Sequence, residues 1–259
     1  MTAQARWALL TDGRVVSIRR PDASDMTAVL RLHEQLPEHD RYLRFFTLGV
    51  AGLAAFAARL TTVDDAHRGA LGAFAGDELV GVAHYEVLAD PAEAEVALVN
   101  EEVQAHGMGT LLLEHLVSLA RERGVRRFVA EVLAENTRMR QVFAGSGLPL
   151  KINHDGPVLN VTIPLDADEQ YLDTVTERER RADSASLRVV LSPRVVAVIS
   201  AGRRDGSIGQ VILRQIKETD FNGQLFAVNP HAAEIAGVPS YATVALSGRH
   251  RAGVTLGAA

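Results

Sequence analysis

The sequence predicts an α+β fold, with a mixed and mostly antiparallel central sheet flanked by helices, followed by a partial α/β unit. Strand-like and helix-like stretches are interspersed up to about residue 165, around one apolar hairpin, which is typical of an α+β domain. A polar, charge-dense stretch follows at 166–186. The apolar pattern then restarts with VVAVIS at 195–200, a continuous β-branched run of the kind that a buried parallel strand requires.

The first elements are a strand and two helices. VVSIRR at 15–20 predicts the strand, and Asp22 or Ser24 can cap a helix over about 25–36. The Ala- and Leu-rich run at 48–60 predicts a second, amphipathic helix packed on a core.

Strands and helices continue to the end of the first domain. They are, in order, a hairpin around the turn at 75–78, a strand at 94–99, a helix stopped by Gly124, a strand over VRRFVAEVL, a helix over ENTRMRQVFAGSG, and strands near 148–153 and 157–164. We therefore assign a first domain to 1–165, a solvated, charged helical linker to 166–186, and a partial α/β unit to 187–259.

Composition narrows the function classes. The chain has 259 residues, 47% of them hydrophobic and 23% charged, which is a globular composition long enough for one domain and a smaller piece. A net charge of −5 argues against a nucleic-acid partner. The absence of cysteine excludes disulfides, a thiol nucleophile and thiolate metal sites. The N-terminus does not look like a secretory signal, and no run approaches the roughly 20 apolar residues of a membrane span, so we expect a cytoplasmic protein.

A glycine motif lies between a strand and a helix. Gln104, Gly107 and Gly109 precede the helical run TLLLEHL. Free backbone N–H groups at a helix N-terminus bind anions, and glycines remove the Cβ atoms that would keep a pyrophosphate away. A phosphate group is therefore the expected ligand. The alternative is a tight strand–helix turn that needs glycines for steric reasons alone.

The motif and its surroundings resemble the GNAT family of N-acetyltransferases over about residues 14–164. That family's pattern is Arg/Gln-x-x-Gly-x-Gly/Ala, and this chain reads Gln-Ala-His-Gly-Met-Gly at 104–109. The hairpin and AEVALV come before the motif, and Asn-x-x-Met-x-x-x-Phe comes after its helix, in the order that the family shows. The resemblance implies an acetyltransferase fold and activity, with acetyl-CoA as cosubstrate and no metal.

The same resemblance assigns cofactor-binding residues. The strand at 94–99 would pair with pantetheine through its backbone, the N–H groups of 103–110 would hold the pyrophosphate, and the helix after Asn136 would hold the far end of the cofactor. The implied residues are Leu98, Val99, Val103, Gln104, His106, Gly107, Met108, Gly109, Thr110, Asn136, Met139 and Phe143.

Two carboxylates are candidates for the general base that must deprotonate an ammonium before it can attack. Glu93 and Glu95 project to one face of the strand, where partial desolvation beside a cofactor would make a carboxylate a better proton acceptor. Glu93 lies near the strand start and reads as a surface charge. We expect Glu95 to be catalytic, and AEVAL around it resembles the bacterial protein-lysine branch of the family, in which a glutamate here serves as base.

Three features bear on the acceptor and the leaving group. Many family members carry a Tyr as general acid where this chain has Phe143, so a side-chain acid is in doubt. RYLRFF at 41–46 resembles the protein-lysine branch, and Arg44 and Phe45 could contact a protein substrate or simply pack. His84 could face the site, although a lone strand histidine is more often structural. The expected acceptor is a protein lysine; a small amine, or a non-catalytic CoA-binding regulator, are the alternatives, and the oligomeric state is left open.

The C-terminal part resembles the CoA-binding, Rossmann-like domain of NDP-forming acyl-CoA synthetases over about 187–245. Gly202, Gly206 and Gly209 open a loop between a buried strand and a helix, which is a second possible phosphate site. The family usually has Gly where this chain has Ser200, and the chain ends after about one βαβ unit. Because the other synthetase domains are absent from this sequence, we expect no ligase activity. The unit is either a truncated remnant or a CoA or nucleotide sensor. Similar fusions of an acetyltransferase with such a synthetase make an acyl-CoA synthetase a possible acceptor protein.

Overall fold

The computed structural model describes residues 5–37, 39, 52–62, 66–100, 107–166, 169–219, 221–243 and 254–257. The chain divides into two compact units, Met1–Asp183 and Ser184–Ala259. Among the described residues, no helix is long and apolar enough to cross a membrane.

The first unit holds eight described strands and five described helices. The strands are β1 (Arg6–Leu9), β2 (Val15–Arg19), β3 (Arg68–Ala75), β4 (Glu78–Val87), β5 (Glu93–Asn100), β6 (Arg127–Leu133), β7 (Lys151–Asp155) and β8 (Val158–Pro164). The helices are α1 (Met26–Glu34), α2 (Leu53–Thr61), α3 (Met108–Glu122), α4 (Thr137–Gly145) and α5 (Glu169–Leu191), the last running into the second unit.

The strands form one sheet in the order β1-β2-β3-β4-β5-β6-β8-β7. All neighbours are antiparallel except β5 and β6, which are parallel. Side chains of the sheet alternate between two cores: Ala83 and Leu98 pack with α3, and Val82 and Val99 pack with α1 and α2. The mixed, mostly antiparallel sheet flanked by helices is therefore confirmed.

Strand β1 was absent from the sequence prediction. It forms a hairpin with β2, in which the N–H of Leu10 donates to the carbonyl of Arg14 at 2.8 Å and Gly13 adopts φ +84°. The Asp12-Gly13 dipeptide is a recognised hairpin signal. Only four residues precede it in the strand, too few for alternation to stand out.

One side of helix α5 is not solvated, although the sequence predicted a solvated linker over 166–186. Tyr171 and Ala182 are buried, and Arg178 forms a bidentate ion pair with Glu114 of α3, with Nε–Oε1 2.7 Å and Nη2–Oε2 2.5 Å. The charged residues that suggested a linker lie on the exposed side, while a few widely spaced residues fix the helix to the core.

The second unit contains more sheet than one βαβ unit. Its strands are β9 (Val195–Ile199), β10 (Gln224–Val228), β11 (Glu234–Ile235), β12 (Val238–Tyr241) and β13 (Val254–Gly257), and its helix is α6 (Ile208–Glu218). The strand order is β11-β12-β10-β9-β13, with only the β11–β12 pair antiparallel. Gly209 lets α6 approach the preceding loop, because a Cβ there would lie 2.6 Å from Ala201 Cα.

Candidate active site

The site begins at a fork between strands β5 and β6. Strand β5 pairs with β4 from Ala94 to Asn100, but it pairs with β6 only through Glu93, Ala94 and Glu95. Strand β6 runs on to Leu133, paired on its other side with β8. Beyond Glu95, no ladder joins these two fully described strands, so backbone groups of β5 are open to an extended, amide-containing molecule.

The side chains of β5 along the fork are buried in the two hydrophobic cores. Leu98 is 5% exposed in the core beneath α3, and Val99 is 7% exposed in the core beneath α1 and α2. These two predicted cofactor-binding residues can therefore act only through their main-chain groups.

Helix α3 begins at Gly107, just beyond the end of β5. Gly107 caps the helix with φ +83° and offers no side-chain cap. The N–H groups of Met108, Gly109 and Thr110 have no acceptor within the helix, as in any first turn, and the helix dipole makes them attractive to an anion. The predicted residues Val103, Gln104 and His106 lie outside the described residues.

Gly109 has a packing role as well. A Cβ at this position would lie 2.7 Å from Val142 Cγ2 of α4, and a Cβ at Gly145 would lie 3.6 Å from Thr110 Oγ1. The first turn of α3 thus lies directly against α4. The steric explanation of the glycines is therefore supported at Gly109, which is itself buried together with Met108. The first-turn N–H groups still lack an acceptor within the helix, as an anion site requires.

A Gly109→Ala exchange separates these two roles. We expect the single variant to lose about 1–3 kcal/mol of stability through overpacking against Val142, measured by thermal unfolding. The double variant Gly109→Ala/Val142→Ala should recover part of that loss. If acetyl-CoA affinity stays low in the double variant, the Cβ also obstructs the ligand; if affinity returns with stability, Gly109 serves packing alone.

The second group of predicted cofactor residues lies in and around α4. Asn136 caps this helix, its Oδ1 accepting the N–H of Met139 at 3.0 Å. The Met139 side chain packs on the main core, and Phe143 is 1% exposed within it. Phe143 thus supplies neither a hydroxyl nor an exposed ring, and a side-chain acid at this position is excluded.

Glu95 lies at the fork itself and is exposed on the α1/α2 face of the sheet. It has no hydrogen-bond or ion-pair partner among the described residues. Glu93, by contrast, is engaged, because Arg127 Nη2 donates to its Oε2 at 2.9 Å. The side chain of Glu95 is exposed, so the desolvation expected from the sequence is not provided by the part of the chain that the structure describes.

Several residues that the sequence did not connect with one another lie on the same face of the sheet as Glu95. Phe56 of α2 makes edge-on ring contacts with His33 and with His84, at centroid distances of 5.1 Å and 5.3 Å. Arg59 of α2 forms an ion pair with Glu86 of β4. The partners of this ion pair are 27 residues apart, so no local pattern could have paired them. The segment 41–46, with Arg44 and Phe45, lies outside the described residues.

Metal chemistry has no counterpart in the described part of the chain. No group of three or more His, Cys, Asp or Glu side chains in it could hold a metal ion.

Comparisons with known proteins agree with this geometry. Residues 31–147 match the model of the acetyltransferase (GNAT) family. The GNAT domain of S. lividans PAT is similar in structure, with 30% sequence identity, 62% of this chain and 96% of that chain covered, and a TM-score of 0.56.

Shorter stretches match ADP-forming acetate–CoA ligases. The ligase of Methanocaldococcus jannaschii is 36% identical over 58 residues, which is 22% of this chain and 8% of that protein. Ligase I of Archaeoglobus fulgidus is 42% identical over 52 residues, or 20% of this chain and 7% of that protein. The chain thus spans a tenth or less of the length of the curated relatives that it matches.

The S. lividans domain is thus matched over nearly its whole length at 30% identity. The chain therefore belongs to the acetyltransferase (GNAT) family, acyltransferases that transfer acetyl from acetyl-CoA to an amino group.

Proposed function

We propose that this chain is an acetyl-CoA-dependent N-acetyltransferase whose acceptor is a lysine of a protein, with an acyl-CoA synthetase as the leading candidate. The observation that carries the proposal is the exposed Glu95 side chain, which has no hydrogen-bond or ion-pair partner within the described ranges and lies where β5 and β6 separate. A carboxylate there can reach an amine whose acyl donor lies along the open edge of β5.

The chain's own residues account for each part of the transfer. Main-chain groups of β5 beyond Glu95 bind the pantetheine arm and polarise the thioester carbonyl. The first-turn N–H groups of α3 bind the pyrophosphate. Glu95 accepts a proton from the acceptor ammonium, directly or through water. The neutral amine then attacks the thioester carbon, forming the C–N bond as the C–S bond breaks, and the nitrogen loses its second proton to water.

The leaving thiolate is protonated by water in this scheme. Phe143 provides no hydroxyl, and a thiol with an ordinary pKa of about 8.5 is a tolerable leaving group. The missing acid therefore slows the reaction without preventing it.

Two lines of support favour a protein acceptor. The AEVAL context of Glu95 resembles the protein-lysine branch, and the matched S. lividans domain is the GNAT domain of PAT. The ligase matches favour a synthetase as partner, and they fit a partial CoA-binding, Rossmann-like domain at 187–259 after a helical linker at 166–186.

The test is CoA release from acetyl-CoA by the purified chain, with an acyl-CoA synthetase, a polyamine mixture or no acceptor. We expect release with the synthetase only, and acetyl label on one of its lysines. Release with polyamines only would replace the protein lysine by a small amine. Acetyl-CoA binding without turnover on any acceptor would contradict the enzyme assignment in favour of a CoA-binding regulator.

A further inference from the structure

A second carboxylate lies beside the proposed base. Glu86 of β4 is the direct antiparallel partner of Glu95 on β5. Side chains of directly opposed residues project from the same face, with Cβ atoms about 4.5–5.5 Å apart. Like charges in this relation are destabilising unless a cation compensates one of them. The sheet therefore holds two acidic side chains next to each other where β5 and β6 separate.

Arg59 compensates one of the two. It forms an ion pair with Glu86, whose other strand neighbour is Arg68 of β3. The side chains of Arg59 and Glu86 are 55% and 35% exposed, so water screens this ion pair and its interaction free energy is small. Glu95 has no such partner among the described residues. One carboxylate is thus covered by a guanidinium and its neighbour is open.

The position of Arg59 is fixed by the packing of α2. Phe56 and Arg59 are three residues apart and lie on the same side of the helix. Phe56 packs edge-on against His84, and Arg59 reaches Glu86, two residues further along the same face of β4. The guanidinium is therefore held over Glu86 by the aromatic contact of the half-buried Phe56, one helical turn away.

We propose that Glu86 and Glu95 form a two-carboxylate seat for the cationic amine of the acceptor, and that Arg59 occupies the Glu86 half until the acceptor displaces it. This inference rests on the proposed function. The incoming ammonium replaces the guanidinium at Glu86, and the Glu86 carboxylate orients the amine. The ammonium gives a proton to Glu95, and the lone pair of the neutral nitrogen then attacks the thioester carbon. Arg59 is thus an internal competitor that sets how strongly a cationic acceptor must bind.

The test is an Arg59→Met variant, because the proposal predicts a gain. Losing an exposed ion pair corresponds to a factor of about two to five in affinity. We expect the acceptor KM to fall by that factor, with kcat and the KM for acetyl-CoA unchanged. Glu86→Gln should raise the acceptor KM by a similar factor. In the double variant, the Arg59→Met gain should disappear.

A matched control is Arg181→Met, which also removes one guanidinium from an exposed pair, that with Glu177. It should leave the acceptor KM unchanged, whereas an equal fall would assign the gain to net charge. An unchanged or higher acceptor KM in Arg59→Met, or a gain that survives Glu86→Gln, would overturn the seat. Partial unfolding cannot produce the expected gain.

A binding measurement keeps this inference separate from the proposed function. The dissociation constant of Nα-acetyl-lysine methylamide, measured by NMR titration with CoA present, should fall two- to five-fold in Arg59→Met. Tighter binding without turnover on any acceptor would contradict the enzyme assignment and support the two-carboxylate seat. Turnover with unchanged lysine-amide binding would support the enzyme assignment and contradict the seat.

Discussion

A Glu95→Gln variant is expected to lose about two to four orders of magnitude in kcat, the usual contribution of a general base. Glutamine keeps the shape and the exposure of the side chain but cannot accept the proton of an ammonium at neutral pH. Because we propose that pantetheine and pyrophosphate contact main-chain groups elsewhere, the affinity for acetyl-CoA should stay within two-fold of the wild type. Steady-state kinetics with the acceptor, together with calorimetric titration of acetyl-CoA, measures both quantities.

Glu93→Gln is the matched control, two residues earlier on the same face. Glu93 already pairs with Arg127, so its loss should change kcat by no more than a few-fold. Equal losses in the two variants would indicate a general electrostatic effect, and an undiminished kcat in Glu95→Gln would remove this residue from the mechanism.

The second large effect is expected at the ion pair between Glu114 and Arg178. The two side chains are 6% and 14% exposed, and burial raises the pKa of Glu114 although Arg178 opposes that rise. Arg178→Met leaves a buried carboxylate without its cation, which costs about 3–5 kcal/mol. Denaturant unfolding at pH 8 should show this loss, whereas Arg181→Met on the same helix, at a solvent-exposed pair, should lose 1 kcal/mol or less.

The contribution of Glu114 to the free energy of unfolding depends on pH, and its sign follows from the pKa shift. Glu114 has a higher pKa in the folded state than in the unfolded chain, so the folded state binds more protons between these two values. Stability from this group is therefore present at acidic pH and is lost as pH rises through that window. Without Arg178 the folded-state pKa rises further, so the variant should recover towards pH 5. A pH-independent loss, or a Glu114→Gln/Arg178→Met double variant as unstable as the single one, would contradict this account.

Local patterns predicted those parts of the fold that local physics determines. The hairpin around Gly76-Asp77 and the end of α3 before Gly124 depend on a few adjacent residues. Likewise, the strand at 94–99 was visible because its apolar run is long enough to show. Glu95 was singled out for its place on that strand, and its assignment as base stays a prediction.

What the sequence could not reveal depends on contacts between distant segments. Arg59 meets Glu86, Gly109 meets Val142, and Arg178 meets Glu114, in each case across more than 25 residues. None of these residues is unusual in its own neighbourhood. The buried side of α5 was missed for the same reason. Only a few widely spaced residues fix the helix to the core, and most residues between them are charged.

The fork has a consequence for the apoprotein. Open sheet edges invite another polypeptide strand to pair with them, and proteins usually protect such edges with charges, bulges or short length. Here the edge lies inside a sheet, beyond Glu95, and it cannot be blunted without closing the site. An occupied fork removes the exposed edge and shifts the folding equilibrium by mass action. In a cell where acetyl-CoA and CoA are abundant, either molecule, bound in the proposed site, would thus stabilise the folded sheet and keep its open edge from pairing with other strands.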